Sequence, residues 1–124
     1  MRYDLEGRTI AFGKQVVLVA KKIPQTSITR PLISQIVRSG TSVGANYREA
    51  DSAGSKKEFA HRISICRKEA NETCYWLSML QDVVPELNNE FEVLSKEAQE
   101  LVFIFSKIHR TTRASLKKEN DIRH

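Results

Sequence analysis

Apolar and small residues recur three and four positions apart along almost the whole chain, the spacing of one face of an α-helix. Ile33, Ile36, Gly40, Val43, Tyr47 and Ala50 mark one such face. Phe59, Ile63, Cys66, Ala70, Thr73, Leu77, Leu80 and Val84 mark a second, which also carries another stripe, Ile65, Glu72, Trp76, Met79 and Val83, about 100° round the helix. Phe12, Val16, Val19, Ala20 and Ile23 give a shorter face ahead of these. Phe91, Leu94, Ala98, Leu101, Phe105, Ile108 and Thr112 give the most regular one behind. The pattern predicts helices over about 8–23, 31–52, 56–84 and 89–116.

The breaks between stripes agree with these bounds. Met1 to Gly7 reads as a lead-in, and Pro24 stops the first helix. Pro31 can open the second, because a first-turn proline gives up an N–H that has no helical partner. Ala53-Gly54 offers a left-handed stop, and Ser55-Lys56-Lys57-Glu58 fits a capping box in which Ser55 and Glu58 each satisfy an orphan N–H. Val84 to Asn89 makes the third connection, and the charged tail after Leu116 is expected to fray. Four long helices with short links predict an all-α, antiparallel up-down-up-down bundle forming one domain over residues 1–124. Their mean period of 3.5 favours packing at about 20°.

Composition adds boundaries to this picture. A chain of 124 residues can bury a core without staples. Cys66 and Cys74 lie on one helix about 12 Å apart along its axis, beyond disulfide reach, and read as reduced core residues of a cytoplasmic protein. No wholly apolar run is longer than Val16 to Ala20, which is too short for a signal or a membrane span, so no membrane partner is expected. The net charge of +5 is unevenly placed: +4 over Met1–Pro31, +1 over Leu32–Pro85, −4 over Glu86–Ser106 and +4 over Lys107–His124.

Candidate chemistry is sparse. Glu58-Phe59-Ala60-His61 has the E-x-x-H spacing of di-iron carboxylate bundles, but no second copy exists to complete the ligand set. Neither a nucleophile elbow nor a glycine-rich phosphate loop is present, and the run S-G-T-S-V-G lies inside a helical pattern. The reading is therefore a chain without catalytic residues, metal or cofactor. Gly40 and Gly44 each cost about 1 kcal/mol in a helix relative to alanine, which close approach of a neighbouring backbone would offset. Asn46, Glu49, Arg67, Glu69 and Glu72 lie beside apolar positions, and pairing across the hairpin, pairing across a subunit boundary, or solvation with i,i+4 partners are all open. Lys107, Arg110, Arg113 and Lys117 fall within about 120° on the fourth helix and form a cationic ridge. Compensation of the helix dipole accounts for part of it. The excess suits salt-sensitive phosphate binding.

The segments G-T-S-V-G-A-N-Y-R-E-A (Gly40–Ala50), S-K-K-E-F (Ser55–Phe59), R-K-E-A-N-E-T-C-Y-W-L (Arg67–Leu77) and D-L-E-G-R-T (Asp4–Thr9) strongly resemble the four-helix bundle family first noticed in intervening sequences of bacterial 23S ribosomal RNA genes. That resemblance implies a homo-oligomer, a pentameric ring of bundles, without known catalytic activity. The family is also similar to the basic accessory protein of diversity-generating retroelements, which binds nucleic acid and a reverse transcriptase. By resemblance, Asn46, Glu49, Glu69, Glu72 and Trp76 are structural or interface positions, and Gly40 and Gly44 are structural positions of the same motif. The second stripe of the third helix, Ile65, Glu72, Trp76, Met79 and Val83, is expected to be an oligomer interface because a small bundle has one interior and this helix shows two apolar directions. Two functions are then expected: a non-enzymatic oligomer binding RNA or DNA through basic helix ends, or an adaptor that holds a protein partner such as a polymerase.

Overall fold

The computed structural model describes residues 4–123. Its helices are α1 (Leu5–Ala20), α2 (Thr29–Asp51), α3 (Lys56–Val83) and α4 (Asn88–Arg123), with a single 3₁₀ turn at Pro85–Leu87 before the last. No strand occurs among the described residues.

Cross-helix contacts run in antiparallel order between sequential neighbours. Val16 of α1 lies against Gly40 of α2 and Thr9 against Gly44. Along α2 and α3, Ser39 bonds Thr73, Val43 bonds Cys66 and Asn46 bonds Arg62. At the far end Lys56, the first residue of α3, reaches Ser115 and Glu119 of α4. The fourth seam is thinner: α1 meets α4 through Arg8, which donates from Nε and Nη2 to both carboxylate oxygens of Glu97 at 3.0 and 2.7 Å, and through the neighbourhood of Val93 and Leu94. The C-terminal half of α4 packs on α3 instead.

Every apolar residue of the four principal stripes is buried or packed against the core. Phe91, Phe105, Ile63, Leu77, Leu80 and Leu101 are wholly enclosed. Thr9 and Thr73 are buried as well, and each satisfies its hydroxyl by back-bonding to the carbonyl four residues earlier, Leu5 at 2.7 Å and Glu69 at 2.8 Å.

Five expectations about element ends are corrected. The first helix begins a turn early because Asp4 Oδ1 accepts the Gly7 N–H at 3.0 Å and Leu5 is drawn into the core, and it ends at Ala20, after which Lys22 and Ile23 form tighter turns on Val19 and Ala20. The second begins at Thr29, since Thr26 Oγ1 accepts the Thr29 N–H at 3.0 Å while Thr29 Oγ1 accepts the Thr26 N–H at 2.8 Å. Gly54 does not adopt a left-handed conformation, and no described glycine does. Instead α2 closes by a short turn from the Ala53 N–H to the Ala50 carbonyl, and the Glu58 carboxylate accepts from the Gly54 N–H at 3.1 Å while Ser55 Oγ accepts from the Glu58 N–H at 3.0 Å. Finally, the charged tail does not fray at Leu116; α4 continues to Arg123. Nothing in Lys117 to Arg123 breaks a helix, and Lys56 ties Ser115 and Glu119 to the start of α3.

Candidate nucleic-acid interface

The continuation of α4 decides what surface the chain's basic C-terminal residues form. At 36 residues the helix is about 54 Å long; its acidic first half packs against α1 and α3 and meets Tyr47 of α2 through Phe105, while its cationic second half is tied to the start of α3 through Ser115 and Glu119. Lys107, Arg110, Arg113 and Lys117 are all exposed, and none has a carboxylate within ion-pair distance among the described residues. An exposed cation without an internal partner keeps its full capacity to release counterions on meeting phosphate.

A fifth basic group, which periodicity did not single out, lies among them. His109 is half-buried on α4, and its pKa is lowered by desolvation and by the guanidiniums of Arg67 on α3 and Arg113 on α4. Cations from two different helices thus act on one imidazole. Only the pairing of helices reveals this, because Arg67 and His109 are 42 positions apart.

Of the α3 stripe expected to serve as an interface, Ile65 and Trp76 are partly buried, whereas Met79 and Val83 are exposed. Tyr75, also exposed, meets Trp76 edge to face with ring centroids 4.9 Å apart. The Trp76 Nε1–H is buried and meets no hydrogen-bond acceptor among the described residues. Glu72 is engaged within the chain: Arg38 of α2 donates to it at 2.6 Å and to Glu69 at 3.0 Å. Desolvation pulls the Arg38 pKa down, but the two carboxylates outweigh it and hold it above the usual arginine value.

A second apolar surface had no counterpart in the sequence reading. Ile10, Gly13, Val17 and Leu18 of α1 with Gly44 and Ala45 of α2 line an open groove of about 540 Å³. The stripe Phe12, Val16, Val19 that predicted α1 accounts for its buried side; Ile10, Val17 and Leu18 are left exposed on the other.

The sequence model of the 23S rRNA-intervening sequence protein family matches residues 4–107. This chain belongs to that family. Its fold is also that of a protein of unknown function from the S23 ribosomal protein family of Bacteroides thetaiotaomicron, with a TM-score of 0.77 and 31% identity over 85% of this chain and 97% of that one. No curated protein matches the chain.

In this family member the motif glycines stand where α1 crosses α2. A Cβ built on Gly44 would lie 3.3 Å from the Thr9 carbonyl oxygen, and one on Gly40 only 2.8 Å from Val16 Cγ1. Glu69 is buried and answered by Arg38, and Asn46 donates to the Ser42 carbonyl at 2.9 Å while accepting from Arg62 Nη1 at 3.3 Å. For Asn46, Glu69 and Glu72 the pairing thus runs across the α2–α3 hairpin; Glu49 and Arg67 are exposed. Glu58 of the E-x-x-H spacing points at the helix end it caps, and His61 is exposed. Among the described residues no three His, Cys, Asp or Glu side chains converge as a metal site, and no helix is long and apolar enough to cross a membrane. Both cysteines are free thiols; burial pushes Cys66 up to about 12, and its Sγ donates to the Val43 carbonyl.

Proposed function

We propose that this chain is a non-enzymatic, self-associating bundle that binds the phosphate backbone of nucleic acid through the cationic half of α4. The carrying observation is the reversal of charge along that helix. The segment Glu86–Ser106 sums to −4 and Lys107–His124 to +4, with Lys107, Arg110, Arg113 and Lys117 exposed and without internal carboxylate partners. A dipole needs far less: the equivalent of about half a charge at the helix C-terminus. Self-association multiplies the effect, since several ridges on one particle act by avidity where one is weak. The ring of five that the family resemblance implies would supply such an arrangement.

The test replaces the four residues by glutamine, which keeps helix propensity nearly constant. Stability and assembly should stay close to the parent, and affinity for a structured RNA should fall sharply. In the parent, log affinity should decline with log salt at about −0.9 per duplex phosphate neutralised. A quadruple variant that binds as the parent does at the same salt would overturn the reading.

A protein-binding adaptor is the second reading, favoured by the α1–α2 groove with its exposed Ile10, Val17 and Leu18. Apolar surface of this kind suits a protein partner better than a phosphate backbone. A reverse transcriptase or other polymerase is the partner that the resemblance suggests.

A further inference from the structure

The cations of α4 do not stand alone on their helix. Lys57 of α3 joins Arg113, Lys117 and Asn120 of α4 around an open depression of about 680 Å³, to which Ala114 and Leu116 add apolar lining. Further along the same pair of helices, Arg67 of α3 and Arg113 of α4 both act on His109. Lys57 and Arg67 are about 15 Å apart along α3, and His109 and Lys117 about 12 Å apart along α4. Basic groups of both helices therefore flank one seam. Lys56, the neighbouring cation, is neutralised by Glu119, whereas Lys57, Arg67, Arg113 and Lys117 have no carboxylate partner among the described residues. Lys107 lies about 120° round α4 from Arg113, outside the seam.

We infer that the binding site is this α3–α4 seam, in which Lys57 and Arg67 face His109, Arg113 and Lys117, and that its ligand is a run of successive phosphodiesters of one nucleic-acid strand. The inference rests on the nucleic-acid reading above and narrows it from a ridge on one helix to a cleft between two. Spacing selects the ligand. A nucleic-acid strand presents a continuous line of charges that can answer groups spread over a seam of about 15 Å, whereas a lone phosphate would leave most of these groups unanswered. The apolar lining at Ala114 and Leu116 suits the sugar edges between the charges. Desolvation and the two guanidiniums lower the His109 pKa in the free chain, and an anion placed between Arg67 and Arg113 relieves that repulsion.

The experiment measures binding of a short labelled RNA to the full chain over a range of salt, for the parent and for Lys57→Gln, Arg67→Gln, Arg113→Gln and Lys107→Gln. Each substituted residue is exposed, so circular dichroism should show unchanged folding. The α3 variants should lose affinity severalfold, as Arg113→Gln does, and each should reduce the salt slope by about 0.7–0.9. Lys107→Gln should lose less. If Lys57→Gln and Arg67→Gln bind like the parent while Arg113→Gln is impaired, the seam is overturned and the ridge survives. If the parent shows no salt-dependent binding, the nucleic-acid reading itself falls. Pyrophosphate competing as effectively as RNA of equal phosphate concentration would also overturn the inference, by making the seam a small-anion site.

Discussion

Gly40 on α2 lies so close to Val16 on α1 that a Cβ added to it would stand 2.8 Å from Val16 Cγ1 and 2.9 Å from Cγ2. Val16 is 1% exposed and branched at Cβ, so neither methyl has an easy escape. Glycine is what permits the approach, and it recovers in packing what it forfeits in helix propensity.

Gly40→Ala should therefore lower the melting temperature. Alanine gains about 1 kcal/mol of helix propensity, but overpacking a core contact costs about 1–3 kcal/mol. Gly44→Leu should be worse, because its Cβ would already be 3.3 Å from the Thr9 backbone carbonyl and the rest of the side chain has to pass between helices. Thermal denaturation of both variants decides this; a melting temperature equal to or above the parent's would remove the close-packing account.

Trp76→Ala should weaken self-association more than it weakens the fold. The exposed Met79 and Val83 continue its stripe towards the end of α3, and Glu72, which the stripe includes, is held in place by Arg38. Sedimentation provides the readout. A parent protein that stays monomeric at on the order of tens of micromolar, where micromolar interfaces are populated, would rule out this surface as an interface.

His109 should make stability depend on pH in a defined direction. Its folded pKa lies below the ordinary 6.5, so as pH falls the unfolded chain takes up the proton first. Stability contributed by the neutral ring is fully present above the unfolded value, declines as pH falls from there towards the lowered folded value, and changes no further below it. Urea midpoints measured from about pH 8 to about pH 5 should show this component in the parent and not in His109→Gln. Superimposable profiles would mean that Arg67 and Arg113 do not act on the ring as described.

The helical stripes were legible because a core face repeats with the helix itself: each of Phe91, Leu94, Ala98, Leu101 and Phe105 is buried. The ends were less so. Asp4 is a good capping residue, but its effect depends on Leu5 finding a place in the core, which is a tertiary fact. Thr26 and Thr29 cap one another through a reciprocal pair of bonds that a polar linker does not announce. The cationic ridge was half legible: periodicity aligns residues on one helix, but only the α3–α4 packing brings Lys57 and Arg67 alongside. Likewise the α1–α2 groove follows from which side of α1 was left over, something a count of apolar residues cannot assign.

Because residues 117–122 at the end of α4 are all exposed, the molecule is not equally firm along its length. Local opening requires least where few buried contacts must break, and Ile122, near the end of that helix, is 83% exposed. Backbone amides of the last turns should exchange with solvent well before those around Leu94 and Leu101, where burial is complete or nearly so. A strongly cationic part of the chain is thus also one that opens at low cost. An anionic strand laid along it would act as a splint, slowing exchange there while leaving the remainder of the bundle as it was.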